Sequence, residues 1–314
     1  MARFPGTHWD YRNPQSQKCA PAPLLQLAVE LGGNGCVIRN GYAIHMWGAQ
    51  HEHFDWLSSA KPLLSTLLFF AVAEKRIASV DARLIDAGWD LKEKDRTMTF
   101  AHLANMVSGY ARPEAPGAAF AYNDFAFNLY QKTLFDRVFQ EAPQAAAAKR
   151  LGAIGLEDGL RFRPSNRRLS ATVRDFCRIG WFWLNRGRWR GRQLLPESFF
   201  RDYCRPHVPP NLPHTAKADT ADYLNIGTFG GGSDHFTNCG PGIYGFNWWF
   251  NRGVWPAAPP DAFMSIGAGG NCAVMIPSRQ LVLACTRGKW GPLTPGDPEA
   301  PTNRHIRLLM ESCR

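Results

Sequence analysis

Ser58-Ser59-Ala60-Lys61 stands at the start of a nearly continuous apolar segment. The pattern predicts a helix over residues 59–75 that is buried on every side, because apolar residues surround its circumference. A serine and a lysine three positions apart share one helix face, with about 5–6 Å between their Cβ atoms. A lysine can take the proton of a serine hydroxyl once burial disfavours the charged amine, and a developing anion at a helix start lies near free backbone N–H groups. Taken alone, the tetrapeptide fits an N-cap serine and a solvated lysine equally well.

Strand-like stretches occur near both ends of the chain. Residues 36–47 predict a β-hairpin, because Asn40-Gly41 supplies the positive φ angles of a tight turn. Further stretches rich in β-branched and aromatic residues lie at 243–251, 271–276 and 280–286. Helices are predicted at 23–31, 99–107, 125–138, 171–185 and 303–313. The sequence therefore predicts an α/β (α+β) fold, in which an antiparallel sheet from both termini is flanked by helices and carries an inserted helical region.

This pattern also predicts the domain organisation. Residues 1–60 and 236–314 are assigned to the α/β sheet region, and residues 61–235 to the helical region. A cleft between the two parts is the expected place for an active site.

The composition excludes several classes of protein. With 314 residues, 45% hydrophobic and 20% charged, the chain is globular rather than disordered or fibrous. The longest apolar run, Leu63–Ala73, is too short for a membrane span, and the first residues lack the apolar core of a signal peptide. No membrane span is therefore expected, and the cytoplasm is favoured over the periplasm.

Charge, cysteines and histidines point to neither nucleic acid nor metal. The net charge is +10, and arginines alternate with tryptophans within 161–192, but no nucleic-acid motif accompanies them. Eight scattered cysteines show neither a CxxC pair nor zinc-ligand spacing, so most are expected to be buried apolar side chains. His51-Glu52-His53 lacks a nearby third ligand. No metal, cofactor or nucleic-acid partner is expected.

Two further motifs follow Ser58-x-x-Lys61 in order: Tyr122-Asn123-Asp124 and Ser265-Ile266-Gly267-Ala268-Gly269-Gly270. Together, over about residues 35–290, they resemble the serine β-lactamase/penicillin-binding-protein superfamily. The resemblance is greatest to its class C β-lactamase-like esterases and amide hydrolases. It implies a β-lactamase/transpeptidase-like fold, and the lack of a G-x-S-x-G elbow argues against an α/β-hydrolase.

The resemblance also implies roles for individual residues. Ser58 corresponds to the acylated nucleophile, Lys61 to its activating base, and Tyr122 to a phenol that relays protons to the leaving group and helps to activate water. The oxyanion hole would consist of the backbone N–H groups of Ser58 and Ala268. Substrate-binding positions would be Asn123, Asp124, Ser265 and Gly267.

Two positions depart from the family's pattern. Ser265 stands where the family usually has a lysine or histidine, which helps to hold a substrate carboxylate. Asp124 stands where the family usually has an asparagine. Either Asp124 pairs with Lys61 and favours its charged form, or Asn123 takes part through a local shift.

The predicted function is hydrolysis of a small ester or amide through an acyl-enzyme on Ser58. One alternative is a β-lactamase or D,D-peptidase acting on β-lactams or peptidoglycan peptides, which the missing cation at Ser265 disfavours. Another is a non-catalytic binding protein on the same scaffold.

Overall fold

The computed structural model describes residues 2–216, 221–229 and 231–313 and divides into two compact units. Unit 1 consists of Met1–Lys61, Leu151–Arg201 and Trp248–Arg314, and unit 2 of Pro62–Arg150 and Asp202–Asn247. The sequence-based boundaries differ from these units in two places. Residues 151–201 are assigned to the helical region but lie in unit 1, and residues 236–247 are assigned to the sheet region but lie in unit 2.

The chain forms short strands and mostly short helices. The α-helices are α1 (Pro21–Leu31), α2 (Lys61–Ala73), α3 (Phe100–Ala104), α4 (Asp124–Lys132), α5 (Pro143–Leu151), α6 (Val173–Leu184), α7 (Glu197–Tyr203) and α8 (Pro301–Ser312). The strands are β1 (Asn34–Arg39), β2 (Tyr42–Trp47), β3 (Phe54–Asp55), β4 (Arg161–Phe162), β5 (Leu169–Ala171), β6 (Arg188–Trp189), β7 (Arg192–Gln193), β8 (Tyr244–Gly245), β9 (Trp248–Phe250), β10 (Phe263–Gly267), β11 (Asn271–Ile276) and β12 (Leu281–Thr286). Two 3-10 helices, Leu57–Ala60 and Ala268–Gly270, flank the candidate site.

The main sheet of unit 1 joins the two ends of the chain. Its strands run antiparallel in the order β2-β1-β12-β11-β10-β9. The β1–β2 turn has positive φ angles at Asn40 (53°) and Gly41 (83°), which explains why Asn-Gly occupies it. All residues of β11 and β12 are buried. The predicted fold class, a mixed α/β arrangement with a large antiparallel sheet, is confirmed.

Helix α6 explains why residues 151–201 belong to unit 1. It packs against β1, β11 and β12, and all of its residues except Arg174 are buried. The loop before it is fixed by Asp175, whose carboxylate accepts the backbone N–H groups of Glu157, Asp158 and Gly159 at 2.6–2.8 Å. Such contacts between distant segments leave no periodic signal in the sequence.

The terminal helices and α2 also match the sequence patterns. Helices α1 and α8 pack against each other, and a disulfide joins Cys19 to Cys313 next to them. Of the six remaining cysteines, five are buried, as expected. Residues 61–71 of α2 are all buried, which agrees with the predicted all-apolar helix. Within the described residues, no helix is long and apolar enough to cross a membrane.

Candidate active site

Ser58 lies on a tight turn that the rest of unit 1 holds in place. The backbone N–H of Leu57 donates to Asp55 Oδ1 at 3.0 Å, and Leu57 itself has a left-handed φ of 49°. On the other side of the turn, the indole N–H of Trp56 donates to Ala171 O at 2.9 Å, and its ring stacks on Phe176 at 3.7 Å. The start of the 3-10 helix Leu57–Ala60 is thus tied to β5 and α6.

The side chains of Ser58 and Lys61 meet in this turn. Lys61 Nζ donates to Ser58 Oγ at 2.8 Å. Ser58 is half-buried, whereas Lys61 is only 3% exposed. A nucleophile in hydrogen-bond contact with a potential base is the arrangement that covalent catalysis by serine requires.

The end of β10 passes close to the backbone of the same turn. A Cβ atom at Gly267 would lie 2.6 Å from Ser59 N, 2.8 Å from Trp56 O and 3.2 Å from Ser58 N. Any side chain at Gly267 would therefore overlap with the turn. Because Gly267 has no side chain, its backbone and that of Ala268 can lie close to Ser58. Two backbone N–H groups that bind the same oxyanion have to lie this close together.

Tyr122, the third residue that the motifs point to, belongs to unit 2. It is 2% exposed, and one short segment holds both of its backbone polar groups. Its N–H donates to Asp234 Oδ1 at 3.0 Å, and its carbonyl accepts the N–H of His235 at 2.9 Å. The ring packs edge-on against Phe236 with 4.8 Å between centroids.

Comparisons with known proteins agree with this architecture. No protein-family model and no curated protein matches the sequence, but many solved structures match the fold. A putative 6-aminohexanoate-dimer hydrolase from Bacillus anthracis has a TM-score of 0.66 at 19% identity, over 99% of this chain and 87% of that chain. A putative β-lactamase from Bacteroides dorei DSM 17855 has a TM-score of 0.67 at 13% identity, over 93% of this chain and 99% of that chain. A family VIII carboxylesterase has a TM-score of 0.66 at 13% identity, over 94% of this chain and 97% of that chain.

The chain has the β-lactamase-like fold. At these identities the likeness concerns the fold, so the roles of individual residues depend on the chain's own geometry and motifs.

Ser265, which the motif predicts to be a substrate-binding residue, lies on β10. It lies two residues before Gly267, so both residues face the same side of the sheet. Ser265 is fully buried, and its Oγ has no hydrogen-bond partner within the part of the chain that the structure describes. Ser265 is therefore a neutral residue whose hydroxyl makes no hydrogen bond within the described residues.

Asn123 and Asp124 begin α4. Asn123 Oδ1 accepts the N–H of Ala126 at 3.0 Å, and its Nδ2 donates to Ala121 O at 2.7 Å, so the side chain caps the helix. Asp124 lies in the first turn, where a carboxylate interacts favourably with the helix dipole. Their predicted roles in binding substrate remain predictions.

Sequence reasoning missed the residues that hold Tyr122. Asp234 Oδ2 pairs with His214 Nδ1 at 2.8 Å, while the N–H of Phe120 donates to Pro213 O at 2.8 Å. Pro213 and the segment 234–235 thus both hydrogen-bond to the backbone of residues 120–122. His214 and Asp234 are twenty residues apart and belong to no motif, so the sequence contained no signal for this pair.

Proposed function

We propose that this protein is a serine hydrolase that cleaves a carboxylic ester or an amide through an acyl-enzyme on Ser58 Oγ. The observation that carries the proposal is the 2.8 Å hydrogen bond between Lys61 Nζ and Ser58 Oγ. A serine hydroxyl becomes an effective nucleophile only when a base is in place to accept its proton. A neutral amine at Lys61 would be that base.

The proposed reaction has two halves. Ser58 Oγ attacks the carbonyl carbon while its proton passes to Lys61, and the carbonyl oxygen becomes an oxyanion bound by the N–H groups of Ser58 and Ala268. Collapse of this intermediate breaks the bond to the alcohol or amine, which leaves with a proton from the enzyme. Water then attacks the acyl-enzyme, gives up a proton and releases the carboxylic acid, which restores Ser58. Each oxyanion donor is worth about 10²–10³ in kcat.

Tyr122 is the residue we propose for proton transfer to the leaving group. Support comes from its place in the Tyr122-Asn123-Asp124 motif and from the way Asp234 and His235 fix its backbone within unit 2. A fixed backbone limits the positions that the phenol can reach, which favours directed proton transfer over exchange with solvent.

The proposed substrates are small and uncharged near the acyl group. Ser265 offers a hydroxyl where a lysine or histidine would bind a carboxylate, and loss of such a charge-assisted contact costs about 1.5–3 kcal/mol. That loss corresponds to at least tenfold in affinity, so a β-lactam or a D-alanyl peptide is a poorer candidate than a neutral ester or amide. The names of two similar structures, a family VIII carboxylesterase and a putative 6-aminohexanoate-dimer hydrolase, agree with hydrolysis of an ester or an amide.

The proposal is tested with a panel of p-nitrophenyl esters, short amide oligomers and a chromogenic cephalosporin. Wild type is compared with Ser58→Ala and with a matched control, Ser59→Ala, which removes the neighbouring hydroxyl that donates to Trp56 O. A fluorophosphonate label followed by peptide mapping identifies the reactive residue. We expect labelling at Ser58 and turnover of esters or amides in wild type and Ser59→Ala, and neither in Ser58→Ala.

Other results would contradict the proposal in distinguishable ways. Turnover by Ser58→Ala, or a label on another serine, would remove Ser58 as nucleophile. A cephalosporin opened faster than every ester and amide would favour the β-lactamase alternative. A stable adduct on Ser58 without turnover of any substrate would favour a binding protein.

A further inference from the structure

Asn271, the first residue of β11, joins three separate segments of unit 1. It is 3% exposed. Its Nδ2 donates to Asp55 O at 3.1 Å and to Ala268 O at 2.9 Å. Its Oδ1 accepts the hydroxyl of Thr286 at 2.6 Å and the N–H of Arg287 at 3.2 Å. The carboxamide therefore uses both of its donor hydrogens and both acceptor lone pairs.

The two carbonyls that Asn271 binds lie in the segments that carry the proposed oxyanion donors. Asp55 begins the turn into Ser58, and its own carboxylate caps that turn through the N–H of Leu57. Ala268 is the second donor residue, and holding its carbonyl restricts rotation about the adjoining Cα and so the direction of its N–H. One side chain thus sets the spacing between the two halves of the proposed oxyanion hole.

The other end of the carboxamide is anchored in the middle of the sheet. Thr286 is the last residue of β12, is fully buried, and lies on a strand with neighbours on both sides, β1 and β11. Such a strand moves less than a surface loop, so Asn271 connects the glycine-rich turn Ala268–Gly270 to a rigid element. Donors held rigidly before the reaction need no reorganisation when the oxyanion forms.

We propose that Asn271 is a positioning residue of the oxyanion hole, which fixes the Ala268 loop against the Ser58 turn. This inference rests on the proposed function, because it requires that the Ser58 and Ala268 N–H groups bind the oxyanion. Asn271 touches no reacting atom. Its loss should weaken binding of the transition state and leave binding of the ground-state substrate nearly unchanged.

The test compares Asn271→Asp with Asn251→Asp. The first variant keeps the shape of the side chain but loses both donors to Asp55 O and Ala268 O. The control makes the same change at another buried asparagine, whose Nδ2 donates to Trp255 O, Ala258 O and Pro259 O beyond the other end of β10. Rates are divided by the concentration of sites that a fluorophosphonate labels to completion. Affinities for an aryl boronic acid, which forms a tetrahedral adduct, are measured alongside.

We expect Asn271→Asp to lower kcat by up to about 100-fold, as a misplaced catalytic group does, with KM nearly unchanged and a similar loss of boronate affinity. Asn251→Asp should keep wild-type kcat per labelled site. Wild-type kcat per site in Asn271→Asp, or equal losses in both variants, would overturn the inference. In either case the proposed function stands as long as Ser58→Ala remains inactive.

A second variant keeps the inference testable if Asn271→Asp does not fold. Thr286→Val removes only the hydroxyl that anchors Asn271 Oδ1 and leaves both Nδ2 donors in place. We expect a smaller fall in kcat at unchanged KM. Unchanged kcat per labelled site in a folded Thr286→Val would count against Asn271 as a positioning residue.

Discussion

Lys61 Nζ donates to Ser58 Oγ at 2.8 Å, and the two residues are one helical turn apart. Because the pair is local in sequence, its distance depends directly on the geometry of the 3-10 helix Leu57–Ala60. Asp55 holds the start of this helix, and Trp56 ties it to β5 and α6. The folded chain therefore holds Lys61 Nζ and Ser58 Oγ in hydrogen-bond contact before substrate binds. The Lys61 amine is for this reason the first group to test.

Replacing Lys61 by methionine should lower kcat by about 10²–10⁴, the usual contribution of general acid–base catalysis. Methionine keeps the length of the side chain in its buried site but accepts no proton. Lys61→Arg serves as the control for charge, since it restores a cation that stays protonated. We expect both variants to lose activity in steady-state assays with an aryl ester. Wild-type activity in Lys61→Arg would show that the amine acts through its charge and not as a base.

Gly267→Ala should disturb the site because the turn leaves no room for a methyl group. Its φ of −139° suits any residue, but the new Cβ would meet Ser59 N at 2.6 Å and Trp56 O at 2.8 Å. Overpacking of this kind costs about 1–3 kcal/mol of stability. We also expect a loss of kcat that exceeds the loss of folded protein, because the turn that carries Ser58 must shift.

The matched control for this change is Gly152→Ala. A Cβ at Gly152 would meet nothing within 4 Å. Thermal unfolding and site-normalised kcat are measured for both variants. Equal kcat values in Gly267→Ala and Gly152→Ala would mean that the 267–268 backbone plays no part in the reaction.

Tyr122→Phe tests the proposed proton relay. Loss of the phenol should lower kcat by about 10²–10⁴. The backbone N–H and carbonyl of Tyr122 keep their hydrogen bonds to Asp234 and His235 in the variant. Tyr130→Phe is the control within unit 2, because the Tyr130 hydroxyl is fully buried and makes a 3.5 Å contact with Ser65 Oγ. If Tyr122→Phe turned over esters and amides as fast as Tyr130→Phe, another group would have to donate the proton.

The residues of the fold and of the candidate site differ in how well the sequence predicts them. Ser58–Lys61 and the Asn40-Gly41 hairpin are local patterns, and local patterns fix local geometry. The motif at Ser265–Gly270 indicated a functional loop, but the reason for Gly267 appears only when β10 lies beside the Ser58 turn. Asn271 hydrogen-bonds to a residue 216 positions away, a contact that no spacing rule predicts. The packing of α6 on β1, β11 and β12 is likewise a long-range property, which explains why residues 151–201 group with the sheet and not with the helical region.

Acid should destabilise unit 2 through Glu141. A hydrogen bond from Arg150, supported by Lys149, lowers the pKa of Glu141 to about 2 from a usual 4.5. A carboxyl with a depressed pKa stabilises the fold above its unfolded value and loses that contribution as the pH falls from about 4.5 to about 2. Since the side chain is 20% exposed, solvent screening leaves about 1 kcal/mol.

The measurement is urea unfolding of wild type and Glu141→Gln between pH 7 and pH 2. We expect the variant to be less stable by about 1 kcal/mol at pH 7 and the difference to shrink steadily as the pH falls towards 2. Glu299→Gln, at a side chain that is 83% exposed, should show no such difference. A gap between wild type and Glu141→Gln that is constant with pH would contradict the role of this ion pair.

The disulfide between Cys19 and Cys313 should contribute most of its stability by restricting the unfolded chain. It closes a loop of 294 residues, and loops of this length correspond to about 6 kcal/mol in the chain-entropy account. In the folded state Ala20 N–H already donates to Ser312 O at 2.7 Å, so the ends lie together with or without the bond. Reduction with dithiothreitol should therefore lower the urea midpoint of wild type and leave that of a Cys19→Ser, Cys313→Ser double variant unchanged. A wild-type midpoint that does not respond to the reductant would mean that the two sulfurs are not bonded in solution.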